Sequence, residues 1–209
     1  MPTGKGHCSD YAGGTGQNGG QNVTQPSRMG TREQILETAL ELFTTHGYDA
    51  TSLREIADRL QLTKAALYYH FPAKELLLLE LTRPFLDGLS RMVTELRSAE
   101  QSDPEPVLAA YLDLFIEHIE MVGLLGREPA TQYHPDIGQR VRSLVAAIQH
   151  QLAGPDPSPR RLVRTACAMG VVHAVPQMPV RVLRDERDTV LAAAVAALGE
   201  GSGRRAAAT

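Results

Sequence analysis

Tryptophan is absent from this sequence of 209 residues, and aromatic residues make up only 5% of it. The core must therefore be built mainly from leucine, valine, isoleucine and alanine. Cysteine is also scarce: Cys8 and Cys167 cannot form a disulfide framework, and neither has a partner at the spacing of a zinc site. We therefore expect a reducing, cytoplasmic setting.

Long apolar runs are missing as well. No stretch approaches the roughly 18 apolar residues that a membrane span needs, and no apolar signal segment is seen near the N-terminus. We therefore expect neither secretion nor a membrane partner. With 21 Lys and Arg against 24 Asp and Glu, the net charge of −3 disfavours a protein that coats nucleic acid through bulk charge. A local basic patch remains compatible with this balance.

The two ends of the chain have little that could form a core. Residues 1–30 are rich in glycine and polar side chains, which predicts a flexible tail, and we expect a second flexible tail at 200–209. An alternative for the first tail is an arm that touches a DNA groove through Lys5 and Arg28.

From Thr31 onward, apolar residues recur with the period of a helix, and no stretch of useful length alternates as a strand would. The pattern predicts an all-α fold of about nine helices. The first runs from Thr31 to a stop at Gly47, and the fourth is expected to be disturbed at Pro84. The fifth, from Pro104, should be broken at Gly123, Gly126 and Pro129. The other expected helices cover 52–59, 63–69, 73 to the mid-90s, 136–152, 159–174 and 184–198.

Three short amphipathic helices within residues 31–71 are typical of a helix-turn-helix unit, whose second helix enters the major groove of DNA. That pair would be 52–59 and 63–69, in a DNA-binding domain covering 31–75. The residue types suit DNA binding, because hydroxyls, a cation and rings can contact DNA and a small alanine permits close approach. These candidates are Thr51, Ser52, Thr63, Lys64, Ala65, Tyr68, Tyr69, His70 and Lys74. A plain packing unit of three helices is the alternative, and residues 31–80 hold more acids than bases.

Four runs of residues carry a resemblance to a known family: TREQILETALELF at 31–43, GYDATSLREIA at 47–57, LTKAALYYHF at 62–71 and KELL at 74–77. They resemble the DNA-binding head of the TetR family of repressors over about fifty residues without an internal gap. The resemblance implies a homodimer on a palindromic operator. It also implies phosphate contacts from Thr51, Ser52, Tyr68 and Lys74, and base or adjacent backbone contacts from Thr63, Lys64, Ala65 and His70. Tyr48 is expected to pack rather than bind.

Beyond the head, residues 76–199 are predicted to form a helical bundle that binds an effector and forms the dimer. Residues 184–198 are apolar nearly all round, which favours a dimer interface on 159–174 and 184–198. The alternative is that 184–198 is a core helix of one bundle.

The effector is expected to be a small apolar or amphipathic molecule, since ligand pockets are mostly apolar with a few polar groups. The candidate lining residues are Tyr111, Phe115, His118, Met121, Cys167, Met169 and His173. Alternatives stay open: His118 can be an ordinary core histidine, and the methionines can be gap fillers. No two of His118, His134 and His173 are four residues apart, so neither a metal nor a cofactor is expected.

These observations predict a ligand-responsive transcriptional regulator, most simply a repressor released from its operator by the effector, with helix 73–95 as the lever. An effector can act this way only if it binds the two states of the dimer with different affinity. An all-α enzyme is the alternative from another class, but no nucleophile–base pair, metal spacing or phosphate loop supports it. An architectural DNA binder without an effector is disfavoured by the acidic balance.

Overall fold

The computed structural model describes residues 30–98, 103–128 and 134–199, and within these ranges the regular structure is entirely helical. The all-α expectation is confirmed. The expected tails at 1–30 and 200–209 lie outside the described residues, except for Gly30. Ten α-helices are found in the described ranges: α1 Thr31–His46, α2 Leu53–Arg59, α3 Lys64–His70, α4 Lys74–Ser98, α5 Pro104–Glu117, α6 Ile119–Arg127, α7 Pro135–Ala153, α8 Pro159–His173, α9 Val180–Asp185 and α10 Arg187–Leu198.

Local signals set the bounds of the first three helices. Gly47 ends α1 with φ of 95°, a left-handed conformation that favours glycine. The Ser52 hydroxyl accepts from the Glu55 N–H at the start of α2, and the Thr63 hydroxyl accepts from the Ala66 N–H at the start of α3. Thr31, which has capping spacing to Gln34, lies inside α1 instead, because Gly30 is the N-cap.

The head (α1–α3) does not close its core by itself. Its buried cluster includes Ile35, Phe43 and Leu67, and it continues onto Met121 and Leu124 of α6. Ile137 of α7 is part of the same cluster. The head is therefore anchored to the bundle by apolar contacts with two helices that follow it at a distance in the sequence.

Helix α4 joins the head to the bundle and is continuous over its 25 residues, so Pro84 does not end it. It packs mainly against α7 and also against α1 and α5. Its contact with α5 is close at Gly88, where a Cβ would meet the side chain of Leu114. An alanine at this position would require the Leu114 side chain to change its position.

The chain bends earlier than the glycines predict. Helix α5 ends at Glu117, and His118, with φ of −110° and ψ of 29°, separates it from α6. Gly123 and Gly126 both lie inside α6, so the expected break at these residues is wrong, while Pro129 lies outside the described residues. The early bend turns α6 toward α1.

At the C-terminal end, α8 and α10 pack side by side, and both contact α5. A second break separates α9 from α10 at Glu186, so the helix expected over 184–198 is shorter than its pattern suggests. Arg187 fixes the start of α10 to α5 by donating to both carboxylate oxygens of Asp113, at 2.5 and 2.7 Å.

The bundle has its own buried cluster, which contains Phe85, Tyr111, Phe115, Met169 and Ala194 among others. No helix in the described ranges is long and apolar enough to cross a membrane. Within the same ranges, no group of three His, Cys, Asp or Glu side chains is placed to hold a metal ion.

Candidate nucleic-acid interface and ligand cavity

Helix α3 is held by its inner face and presents its outer face to solvent. Leu67 is fully buried and Phe71, just after the helix, is 2% exposed. On the outer side, Tyr68 is 40% exposed and Tyr69 is 85% exposed, although large aromatic side chains are usually covered. The Tyr68 and Tyr69 rings of this short helix are therefore exposed to solvent, while its opposite side is packed in the core.

The outer face of α3 combines a cation with these rings. The Lys64 ammonium lies 5.4 Å from the centre of the Tyr68 ring, and the Tyr69 and His70 rings meet edge to face at 5.3 Å. Thr63, Lys64 and Ala65 are all exposed at the N-terminal end of the helix. The structure thus brings these predicted residues together on one accessible face, of the kind that reads base edges in the major groove.

Thr51 and Ser52, both predicted to contact phosphates, differ in their exposure to solvent. Thr51 is only 1% exposed, and its hydroxyl donates to the Gly47 carbonyl at 2.9 Å, so the expected hydroxyl contact from Thr51 does not fit this geometry. Ser52 is exposed and caps α2, which leaves the start of that helix accessible. Of this adjacent pair, only Ser52 can meet a phosphate without rearrangement.

Lys74 is likewise engaged inside the head. Its ammonium donates to the carbonyls of Tyr48, Asp49 and Thr51, at 2.8, 3.4 and 3.0 Å, and lies 4.3 Å from the centre of the Tyr48 ring. An ammonium has three N–H donors, and here each has an acceptor. The expected phosphate contact from Lys74 therefore conflicts with this arrangement: the residue ties the α1–α2 loop to the start of α4.

Tyr48 packs, as the sequence predicts. Its ring is 6% exposed and meets Phe43 edge to face at 5.0 Å. Burial, together with the negative charges of Glu75 and Asp49, raises the pKa of Tyr48 to about 12. The phenol therefore stays neutral under Lys74 over the whole physiological range.

The head is acidic, with five Lys and Arg against eight Asp and Glu in residues 31–80. Most of its cations have partners: Arg32 pairs with Glu80, Arg54 with Asp58 at 3.6 Å, and Arg59 with Glu41 at 2.8 Å. Lys74 is engaged by carbonyls. Within residues 31–80, Lys64 is left as the basic side chain with neither an acidic nor a carbonyl partner.

A cavity of about 660 Å³ opens in the bundle, within the range of small-molecule sites. Its wall is mostly apolar and is shared by α4, α5, α6, α7, α8 and the short 3₁₀ turn Val175–Gln177. The lining residues are Phe85, Phe115, Val122, Gly123, Leu125, Gly126, Arg127, Val141, Arg142, Val145, His173, Pro176 and Gln177.

Only two of the seven residues predicted for this pocket, Phe115 and His173, line the cavity. Tyr111 is fully buried behind them, with its hydroxyl 2.8 Å from His173 Nε2. His118 lies beside Phe85, with ring centres 6.0 Å apart, but does not line the cavity.

The other three residues predicted for the pocket lie away from this cavity. Met121 is buried in the head cluster because α6 begins after the bend at His118. Met169 is 2% exposed in the bundle core, and Cys167 is exposed on the outer surface of α8. Sequence reasoning missed Arg127 and the α6 glycines, because a helix face can be assigned to a cavity only when its bounds and neighbours are known.

His173 is a polar side chain of the cavity wall and lies next to Phe115. Its ring stacks on Phe115 with centres 5.5 Å apart and an angle of 25°. Burial lowers the pKa of His173 and raises that of its partner Tyr111. The pair is therefore a neutral hydrogen-bonded unit at pH 7.

An outward face on α8 and α10 remains uncovered in the single chain. On α8, Leu162 is 45% exposed and Val163 is 63% exposed. The rest of the face is small and exposed: Ala166, Cys167, Gly170, Ala192, Ala193 and Ala196. The inward sides of α10, such as Val190, Ala194 and Leu198, are buried against their own bundle. The inward side of this helix thus fits the alternative of a core helix, and a dimer interface on its outward side stays a prediction.

The capped helix pair α2–α3, with its exposed outer helix, defines a helix-turn-helix domain. Residues 35–81 match the model of the family described as bacterial regulatory proteins, tetR family. This domain therefore matches the DNA-binding domain of that family, and the resemblance in the sequence is confirmed.

Curated relatives are regulators by name, not enzymes. The chain is 28% identical over 113 residues to an uncharacterized HTH-type transcriptional regulator, YuxN of Bacillus subtilis, covering 53% of this chain and 39% of the relative. It is 33% identical over 89 residues to the HTH-type transcriptional repressor KstR2 of Mycolicibacterium smegmatis, covering 42% and 43%. The chain thus spans less than half of the length of these relatives.

Among solved structures, a member of the TetR transcriptional regulator family from Streptomyces coelicolor has the same fold. Its TM-score is 0.63 at 21% identity, and the match covers 79% of this chain and 89% of that one. The likeness therefore extends through the bundle as well as the head, as a likeness of architecture.

Proposed function

We propose that this chain is a ligand-responsive repressor that binds a palindromic operator as a homodimer. The observation that carries the proposal is the exposed face of α3, with Lys64, Tyr68 and Tyr69 held outward in a domain of the TetR family. In a helix-turn-helix dimer, two such helices must be about one turn of DNA apart to read two half-sites. The relatives named as repressors support repression over activation.

The second copy is proposed to sit on the uncovered face of α8 and α10. Small side chains there let two helix pairs approach closely, and Leu162 and Val163 supply exposed apolar area. A Cβ added at Gly170 would meet no atom of the described residues within 4 Å, so this part of the face leaves room for a partner. The interface would be a self-complementary four-helix contact around a two-fold axis.

The effector is proposed to act through α6. Gly123 and Arg127 of this helix line the cavity, whereas Met121 and Leu124 pack into the head cluster against α1. Helix α4 provides a second route, since Phe85 lines the cavity and the same helix begins beside the head at Lys74. A ligand that prefers one position of α6 would shift the spacing of the two α3 helices.

Operator binding is tested first, by fluorescence anisotropy with a duplex selected from random DNA by the full-length protein. Lys64→Gln and Tyr69→Ala should each weaken binding by about tenfold or more, because each removes a side chain from the reading face. Arg140→Gln, which also removes an exposed cation but on α7, should leave affinity unchanged. Undiminished binding by a Lys64→Gln/Tyr69→Ala double variant would reject this interface.

The dimer is tested by sedimentation velocity. Val163→Glu places a charge on the proposed face and should produce monomers with lost operator binding. Leu76→Glu, at another exposed apolar residue, 40% exposed and on α4, should leave the oligomeric state unchanged. A dimer that persists in Val163→Glu would place the contact elsewhere.

A further inference from the structure

The charged side chains that the described residues contribute to the cavity wall are all basic. They are Arg127 and Arg142, with no aspartate or glutamate among these lining residues, in a chain that has more acids than bases. His173 is held neutral, so the two guanidiniums supply the fixed charge. A ligand with a negative group is the chemical complement of this wall.

The apolar and cationic parts of the cavity are separated. Phe85, Phe115 and Val122 are buried, at 2%, 4% and 8% exposure, whereas Arg127 and Arg142 are exposed. The wall therefore passes from an aromatic and aliphatic interior to a cationic opening. A molecule that fits this order has an apolar body and an acid at one end.

Arg127 is held in place at this opening. Its Nε donates to the Gly123 carbonyl at 3.1 Å, and a Cβ on Gly123 would lie 3.3 Å from Arg127 Nη2. The guanidinium is thus folded along α6 against a residue without a side chain. No carboxylate among the described residues forms an ion pair with Arg127, and its Nη groups are the donors that a bidentate anion would use.

We propose that the ligand of this cavity is an amphipathic acid: a hydrocarbon chain or ring system in the apolar interior, with a carboxylate or phosphate at Arg127 and Arg142. This rests on the proposed function for its regulatory meaning, but not for the binding itself. The acid would bridge α6 and α7, and α6 is the helix that also contacts the head.

Direct binding is measured by calorimetry on the full-length protein with four probes of equal chain length: laurate, dodecyl phosphate, dodecanol and dodecyltrimethylammonium. Laurate or dodecyl phosphate should bind at least tenfold more tightly than dodecanol, and the cation should bind most weakly. Whichever of laurate and dodecyl phosphate binds more tightly shows whether the site prefers a carboxylate or a phosphate head group. Equal binding of acid and alcohol, or no binding by either acid, would overturn the proposal.

Arg127→Gln should weaken binding of the acid by about tenfold or more and leave dodecanol unchanged, because a charge-assisted pair is lost while the apolar wall is kept. Arg142→Gln should act in the same direction. Arg140→Gln is the matched control on α7: Arg140 faces Asp87 at 3.5 Å and is outside the cavity. An Arg127→Gln variant that binds laurate as the wild type does would also overturn the assignment.

Operator release is then measured separately by adding the bound acid to the anisotropy assay. Release that disappears in Arg127→Gln supports both proposals. Acid binding that depends on Arg127 without any release keeps the ligand class and rejects the effector role. If the free protein binds the operator but has no affinity for either acid, the proposed DNA-binding function is kept and the ligand class is rejected.

Discussion

Gln61 is in a backbone conformation that its side chain does not favour. It lies in the turn between α2 and α3 with φ of 55°, and no other described residue except glycine has a positive φ. The left-handed region costs an L-residue roughly 1–2 kcal/mol, whereas glycine enters it freely. The turn of the DNA-binding domain is therefore under local strain.

Gln61→Gly should stabilise the protein by about 0.5–1 kcal/mol, because relief of strain exceeds the extra freedom of glycine in the unfolded chain. Gln61→Val should destabilise it by about 1 kcal/mol or more, since a β-branched residue fits this region worst. Urea unfolding at equilibrium measures both changes. A glycine variant less stable than the valine variant would show that the turn is not strained.

Burial of two histidines predicts that the stability of the fold depends on pH. Burial lowers the pKa of His173, and burial is also the main cause that lowers the pKa of His118. Below about pH 6.5 the unfolded chain takes up these protons while the folded bundle resists them, so stability should be lost as the pH falls. Above about pH 7 both states are neutral and this effect should be absent.

His173→Gln should therefore lose less stability than the wild type when the pH falls from above about 7 to about 5.5, measured by urea unfolding at each pH. The remaining loss is assigned in part to His118. Tyr111→Phe is the control, because it removes the 2.8 Å hydrogen bond but leaves His173 buried. Equal losses in His173→Gln and the wild type would show that His173 does not cause the effect.

At the scale of single elements, Lys74 differs most from its predicted role, because it binds backbone carbonyls where a phosphate contact was expected. Its three carbonyl acceptors all belong to the α1–α2 loop, so it fixes the start of α2 relative to α4. Lys74→Met should weaken operator binding by about tenfold through this lost positioning. The salt dependence should stay the same, because no phosphate contact is removed.

Lys74→Arg separates the two roles of Lys74. A planar guanidinium keeps the charge but does not fit three carbonyls around one point, so it should not restore affinity. Lys64→Gln should instead lower the slope of log affinity against log salt by about 2 per dimer. A slope change in Lys74→Met, with rescue by arginine, would return Lys74 to the DNA contacts.

The sequence predicted the helical head well because its signals are local. Apolar spacing, the Ser52 and Thr63 caps and Gly47 set the bounds of α1–α3 through residues that are close in the chain. The break at His118 carried no such signal, since neither glycine nor proline is there. The two glycines in α6, which predict a break by their usual preference, are helical because packing against the head and the 3₁₀ turn overrides that preference.

The cavity could not be predicted because its signals are not local. Its wall is shared by six elements that are distant in sequence, so one wrong helix bound moves a residue such as Met121 from the cavity to the head cluster. Phe115 and His173 were found because each lies on a helix whose inner face was correctly assigned. Arg127 follows directly after the two misjudged glycines and their expected break.

At the scale of the whole molecule, the two apolar clusters are linked by few elements. Helices α4 and α6 each contribute buried residues to the head and wall residues to the cavity. In the proposed dimer, a ligand-driven shift of α6 would be carried to both recognition helices. This coupling does not require a basic head. The charge distribution of the head instead predicts how operator binding depends on salt.

Operator binding should depend only weakly on salt, because each head offers Lys64 and, partly shielded by Asp58, Arg54 as exposed cations near the reading face. About two to four neutralised phosphates per dimer predict a loss of affinity of roughly ten- to hundredfold between about 50 and 200 mM salt. About six to ten contacts would give about 10³ to 10⁵ over the same range. A salt titration of the full-length protein on its selected operator distinguishes these cases. A loss above about a thousandfold would contradict the prediction and would indicate further cations on the DNA, which Lys5→Gln/Arg28→Gln would test in the N-terminal segment.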